Sequence, residues 1–281
     1  MRTCSFRYTK PRDVTEAIQA LDQGGAVLAG GQSLVPLMKL LSAGPEHLVD
    51  INGLSELRGI RVQPDRGVSI GALTRHREVA DSPVIRQLVP HLAKAASLIG
   101  DVQVRNRGTI GGSLCFADPK GNYSPVLISL EAHATLRGPK GPRLVRVEDL
   151  FVAPFQNALA PNEIMTSTEI PALGDGTWGD YREVTVQPGG LRLVNVAVTV
   201  RGDPVELVGV GVGGLAPTPL RLGRVESALR GHRLSRDVVL RAMEEIDERR
   251  LDLLDDSDAP GRYRLAVAKI LIRRALLREP R

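Results

Sequence analysis

The spacing of hydrophobic positions changes from unit to unit along this chain. At the start, extended runs at Ser5–Tyr8, Ala26–Ala29 and Leu48–Asp50 alternate with helical spacing at Val14–Leu21 and Leu34–Leu41, which predicts a small βαβαβ unit on a parallel sheet. From Leu57 the pattern becomes paired strands, Gly59–Gln63 and Gly67–Gly71, followed by helices, with Thr74 as an N-cap and an apolar run at Pro90–Ile99. Strands resume at Ala132–Arg137, Arg143–Arg146 and Glu163–Ile170, so this middle unit reads as α+β. The turn-rich stretch Pro171–Thr177 is a boundary. Beyond it come strands at Trp178–Val186, Val194–Val200 and Pro204–Val212, then helices starting near Leu220, Ser235 and Ala259. The pattern therefore predicts an α+β chain with a first lobe at 1–54, a second at 55–173 and a C-terminal domain at 178–281. That last domain pairs a three-stranded antiparallel sheet with a helical bundle.

Composition narrows the function classes. A chain of 281 residues buries a core without disulfides, and its two cysteines, Cys4 and Cys115, have neither CxxC spacing nor a histidine pair nearby. No zinc site and no iron–sulfur cluster is expected on this chain, and the setting is read as reducing and cytoplasmic. No stretch reaches the roughly 18 to 20 apolar residues of a membrane span, and no membrane role is expected. The net charge of +5 is spread along the chain with few aromatics, a poor match to a nucleic-acid surface. In the basic terminal helix, Leu265, Ala268, Ile272, Ala275 and Leu276 share one stripe wide enough to be core.

Two glycine-rich segments carry the chemistry. In Leu28–Lys39, a strand ending in Gly30-Gly31 turns sharply and leaves consecutive backbone N–H groups outward, as a phosphate requires, with Gln32 and Ser33 as further donors. In Arg105–Pro119, Gly111-Gly112 permits close backbone approach, and Thr109, Ser113 and Asp118 add polar contacts. Both segments read as anion cradles. Because they fall in different lobes, they place a phosphate-bearing ligand in the cleft between them.

These residues also carry a family likeness. Ala29-Gly-Gly-Gln-Ser-Leu34 with Pro36-Leu-Met-Lys39, then Gln103-Val-Arg-Asn-Arg-Gly-Thr-Ile-Gly-Gly112 and Ala117-Asp-Pro119, resembles the FAD-binding medium subunit of the molybdenum hydroxylases, the group of carbon monoxide dehydrogenase and xanthine dehydrogenase flavoproteins. The resemblance extends through Pro45–Ile51, Ser69–Thr74, Ala216–Arg221 and the helix of Tyr263. It implies that the two lobes form an FAD-binding domain holding an extended FAD. The diphosphate would lie on Ala29, Gly30, Gly31, Gln32, Ser33 and Leu34. The ribityl and ring region would lie near Thr109, Gly111, Gly112, Ser113, Ala117, Asp118, Asn122 and Glu183. It further implies electron transfer from the iron–sulfur clusters of a small subunit, fed by a molybdopterin large subunit, to an acceptor. Catalytic residues on this chain are not assigned, and no metal is expected.

Departures from the family pattern gather around the expected ring. Ser113 stands where Asn is usual, Cys115-Phe116 replaces a small or histidine-containing pair, and Asn122 replaces a frequent Asp. Glu183 falls near a frequent Lys, and Leu191 near a position where some members offer a Tyr. These changes keep open a repurposed stand-alone FAD enzyme, an oxidase, dehydrogenase or oxygen-using enzyme on a small molecule, and beyond it a binding module that has lost FAD. The five histidines form no triad spacing and read as surface or capping residues. Cys115 reads as a small buried thiol, and the acidic run from Glu244 to Asp258 as a solvated helix end.

Overall fold

The computed structural model describes residues 5–40, 44–186 and 192–280. The first lobe runs β1 (Arg7–Thr9), α1 (Val14–Asp22), β2 (Ala26–Leu28), α2 (Leu34–Lys39) and β3 (His47–Asp50). Its parallel sheet has the order β1-β3-β2. Helix α1 starts where Asp13 accepts a hydrogen bond from the Glu16 N–H, and it buries Val14, Ala17, Ile18 and Leu21. The strand expected at Ser5–Tyr8 begins at Arg7, and the last expected residue of α2, Leu41, lies outside the described residues.

The second lobe continues with β4 (Ile60–Val62), β5 (Val68–Gly71), α3 (His76–Asp81), α4 (Pro83–Leu88), α5 (Pro90–Ser97), α6 (Val102–Arg107), α7 (Ile110–Phe116) and α8 (Tyr123–Ser129). It closes with β6 (His133–Gly138), β7 (Gly141–Arg146), β8 (Phe151–Ala153), β9 (Gln156–Asn157) and β10 (Ile164–Ile170). An antiparallel five-stranded sheet of order β4-β5-β10-β6-β7 carries the helices on a shared core. Thr74 is not the N-cap of α3. Its buried hydroxyl is spent on both backbone groups of Gly59, and the helix starts beyond Arg75, whose N–H is taken by Glu78 at 2.6 Å.

The C-terminal domain comprises β11 (Trp178–Thr185), β12 (Arg192–Arg201), β13 (Leu207–Gly213), β14 (Leu220–Arg221), α9 (Gly223–Leu229), α10 (Arg236–Glu244) and α11 (Gly261–Leu276). Leu220 and Arg221, expected to open a helix, instead add a short fourth strand to the antiparallel sheet, and the helix starts at Gly223. Strand β12 is covered on both faces, so it lacks the polar alternation of a half-exposed strand. Val194, Val196, Val198 and Val200 face the helical bundle. Asn195, Ala197 and Thr199 face the second lobe, where the Thr199 hydroxyl meets Ser129 at 2.9 Å and Ala197 joins that lobe's core. Gly209 and Gly211 of β13 let the backbone of α8 rest directly on the sheet, since a Cβ at either would enter the carbonyl of Ser129 or Pro125.

Candidate functional site

The first glycine-rich loop leaves β2 and turns onto the end of α6. A Cβ on Gly30 would lie 2.5 Å from the Arg107 carbonyl oxygen and 2.7 Å from the Gly108 Cα, so only glycine permits this contact. Gly31 has φ +73°, in the left-handed region that other residues enter at a cost. After this turn the N–H groups of Gln32, Ser33 and Leu34 have no acceptor among the described residues, and Ser33 makes no side-chain cap to α2. That leaves adjacent unused donors beside a cavity, as expected of an anion cradle.

The loop is held from behind by side chains that the sequence does not single out. Asn52 Nδ2 donates to the Ala29 carbonyl at 2.6 Å and to Asp50 Oδ1 at 2.7 Å. Arg75 Nη2 donates to Asn52 Oδ1 at 2.8 Å, and Nη1 bonds to the Arg107 carbonyl. One chain of hydrogen bonds therefore joins the first loop to α6. Burial, then the nearby guanidinium groups of Arg58 and Arg107, lower the pKa of Arg75 from its usual value. Burial alone would raise the Asp50 carboxyl, but hydrogen bonds from Tyr8 and Asn52 outweigh it and hold the group below the usual range.

The second segment is folded differently from expectation. It is two short helices, and Thr109 caps α7 by accepting from the Gly112 N–H at 3.0 Å. The other first-turn donors are also taken: Ile110 N–H by the Thr74 carbonyl, Gly111 N–H by the Ala72 carbonyl and Ser113 N–H by the Thr109 carbonyl. The second cradle therefore offers no free backbone N–H there, because the β5–α3 connection and Thr109 have claimed them. What it offers is space. Gly111 is pressed against Ala72, where a Cβ would fall 2.6 Å from another Cβ, while Gly112 is open to the cleft and faces Ala29.

Between the two segments lies a cleft of about 540 Å³. Its walls include Ala29, Gly30, Gly31, Gln32, Ser33 and Leu34 from the first segment and Thr109, Gly111, Gly112, Ser113, Asp118 and Asn122 from the second, with Leu73, Ile164 and Met165 as apolar surface. Two expected residues do not line it. Ala117 is buried at the left-handed end of α7, φ +53°, and Glu183 stands behind Asn122. Arg192, which the sequence does not mark, lines the cleft and donates from Nε to the Lys120 carbonyl at 2.9 Å. Leu191 lies outside the described residues.

His76, expected at the surface, is buried on the cleft wall with Nδ1 2.9 Å from the Tyr123 hydroxyl. Burial, and then Arg75 and Arg105, lower its pKa to about 4, so it is neutral near pH 7. His47 and His91 are likewise buried, against expectation. Nothing in the spacing of these histidines signals this, because apolar cover arrives from elements distant in sequence. The Cys115 thiol sits 3.8 Å from the Met165 sulfur and is pushed up to about 12 by burial, which suits an inert thiol. Among the described residues no group of His, Cys, Asp and Glu side chains is placed to hold a metal ion. Nor is any described helix long and apolar enough to cross a membrane.

The cleft fits an extended dinucleotide on three counts: unused N–H donors at the first loop, glycines where a ligand must approach, and apolar walls beyond. Comparison with known proteins gives the family. Residues 4–173 match the FAD binding domain in molybdopterin dehydrogenase, and residues 181–278 the CO dehydrogenase flavoprotein C-terminal domain. The chain is 38% identical to the carbon monoxide dehydrogenase medium chain of Hydrogenophaga pseudoflava, over 96% of each chain. It is 34% identical to the glyceraldehyde dehydrogenase medium chain of Sulfolobus acidocaldarius, again over 96% of each. It is 32% identical to the nicotine 6-hydroxylase medium subunit of Paenarthrobacter nicotinovorans, over 99% of this chain and 98% of that one. In structure it superposes on the carbon monoxide dehydrogenase from Hydrogenophaga pseudoflava lacking the Mo-pyranopterin moiety, with TM-score 0.94 and 37% identity over 99% of this chain and 98% of that chain.

Proposed function

Since the chain belongs to the FAD-binding medium subunits of the molybdopterin dehydrogenases, we propose that it holds FAD across this cleft and works as the electron-transfer station of a three-subunit assembly. An iron–sulfur small subunit would deliver electrons that a molybdopterin large subunit withdraws from substrate. The observation that carries the placement is the row of unused N–H groups at Gln32, Ser33 and Leu34 on the cleft edge. These donors, with the Ser33 hydroxyl, hold the diphosphate. The Asn52–Arg75 support keeps the loop in that shape before the cofactor arrives, which limits the ordering cost of binding.

When bound, FAD supplies the redox chemistry, while the protein supplies position and electrostatics. Ala29 and Gly112 leave space for the ligand, Gly111 lets α7 close on Ala72, and Leu73, Ile164 and Met165 shield the ligand from water. Thr109, Ser113 and Asp118 offer polar contacts farther along, and Asn122 ends the row. Ala117 and Glu183 act from outside the cleft, Ala117 by turning the chain and Glu183 by bonding Asn122. His76 stays neutral and adds no charge to the wall.

The test is an absorbance spectrum and chromophore release on the purified protein, with identification of co-purifying subunits. FAD released from the protein, together with iron–sulfur and molybdopterin partners, is the expected result. An isolated chain that reduces its flavin with a small substrate and no partner would overturn the relay role. A folded chain that cannot be loaded with FAD would overturn the cofactor placement.

A further inference from the structure

At the far end of the cleft, one wall residue is locked by a polar network reaching into the C-terminal sheet. Asn122 is only 2% exposed. Its Nδ2 donates to Tyr181 Oη at 3.0 Å and to Glu183 Oε2 at 3.1 Å. Tyr181 Oη in turn donates to Glu183 Oε2 at 2.7 Å and accepts from Asn195 Nδ2 at 3.2 Å. Asn195 Nδ2 also donates to the Gly121 carbonyl at 2.9 Å, tying the network to the turn that presents Asn122.

Chemistry dictates the direction of every bond. A carboxylate only accepts, so the Asn122 atom that faces it must be the NH₂ group. Tyr181 is fully buried and its pKa is raised well above the usual value, by burial first and then by the Glu183 charge, so it remains a phenol and a donor. The Asn122 NH₂ group is then committed to this pair of acceptors, and Oδ1 has no protein partner among the described residues. Glu183 makes no ion pair within 4 Å among the described residues, and it accepts hydrogen bonds from Asn122 and Tyr181. A carboxylate at position 122 would face Glu183 at about the same separation, and the network would lose a donor and gain a repulsion.

We propose that Glu183 is a positioning residue: through Tyr181 and Asn122 it fixes a carbonyl acceptor on the cleft wall toward an N–H group of the flavin, and its negative charge disfavours the reduced cofactor. The proposal rests on the FAD placement above. Glu183 stands one hydrogen bond behind the cleft wall, so neutralising it changes the balance between oxidised and reduced ligand even where no contact is lost.

The experiment uses the FAD-loaded complex and compares Glu183→Gln, Asn122→Asp and the double variant Asn122→Asp/Glu183→Gln. FAD dissociation constants and the midpoint potential, read by equilibration with a redox dye, are measured for each. Glu183→Gln keeps an acceptor for Tyr181 and removes the charge. Oxidised FAD should bind within about threefold of wild type, while preference for reduced over oxidised FAD rises roughly threefold to tenfold, seen as a more positive potential. Asn122→Asp should weaken oxidised FAD at least tenfold, and the double variant, in which the Gln amide donates to the Asp, should recover most of that loss. A purely structural role would instead lower binding of both redox forms together and leave the potential in place. An unmoved potential in Glu183→Gln, or no recovery in the double variant, overturns the proposal. Wild-type protein without flavin overturns the cofactor reading beneath it.

Discussion

Gly30 and Gly31 are adjacent, yet they are glycines for different reasons, and their substitutions should separate. At Gly30 the obstacle is the Arg107 backbone, which cannot move aside like a flexible side chain. Gly30→Ala should push the first loop off α6, cost about 1–3 kcal/mol by overpacking and reduce FAD retention at least tenfold. At Gly31 the nearest atom, Val35 Cγ2, is 3.2 Å from where a Cβ would stand and belongs to a side chain that can shift slightly, but φ is +73°. Gly31→Ala should cost about 1–2 kcal/mol and weaken FAD less, since the strain can relax into the loop. Denaturant melts and fluorescence titration with FAD check both. A glycine pair in sequence announces a turn, but which neighbour forbids a Cβ is set by residues far along the chain. The histidines show the same limit. His76 and His91 are both lowered to about 4, mainly by burial. An unfolded histidine titrates near 6.5, so between pH 6.5 and 4 the unfolded chain binds more protons. Stability should therefore be full above pH 6.5 and fall as pH drops toward 4, by on the order of 2–3 kcal/mol for each ring. His91→Phe should flatten that decline in urea melts across the range, and an unchanged slope would refute the assignment.

Helix α7 and the first loop share a glycine-rich appearance but differ in where their backbone donors go. In α7 they are spent on Thr74, Ala72 and Thr109, so Thr109→Ala removes a cap and one polar contact of the cleft wall, costing about 1 kcal/mol of stability and weakening FAD only about twofold to threefold. In the first loop they are unspent, and the loop depends on support from behind. Asn52→Ala removes the donor to the Ala29 carbonyl and the acceptor for Arg75 together. It should weaken FAD roughly tenfold while the melting curve moves by about 1–2 kcal/mol. Equal loss of FAD in the two variants would contradict this division of labour. The sequence pattern locates both elements, because strand-to-helix turns carry local signals. It does not locate the hydrogen-bond partners, which come from the β5–α3 connection and from a turn beyond β3. Strand β12 is legible as an apolar run, whereas its division into a valine face toward the bundle and an Asn195–Ala197–Thr199 face toward the second lobe follows from the two layers that cover it.

Across the whole molecule, Arg264 ties the C-terminal helices to the end of the cleft. It is completely buried, donates to the carbonyls of Leu193 at 2.5 Å and Ala259 at 3.2 Å, and pairs with Asp256 at 2.5 Å. Asp256 and Asp258 also hold Lys120, whose carbonyl receives Arg192, so part of the acidic run expected to be a solvated helix end is a structural clasp. Burial would raise the Asp256 carboxyl, but Lys120, backbone N–H groups and Arg264 hold it well below the usual range. Arg264→Met should cost about 2–4 kcal/mol, because the carbonyls of Leu193 and Ala259 lose their donor inside the core while Asp256 keeps Lys120, and calorimetry checks it. Local periodicity and the order of strands and helices were enough to determine an α+β chain, since those features are short-range, and the resemblance carried by the two motifs supplied the flavoprotein subunit family, whose models span both parts of the chain. The tertiary structure alone decided that the second segment spends its backbone donors internally, that three histidines are buried, and that Asn122 and Glu183 touch. Each of these depends on atoms brought together from distant parts of the chain, where burial and partner geometry, not residue type, set hydrogen bonding and charge.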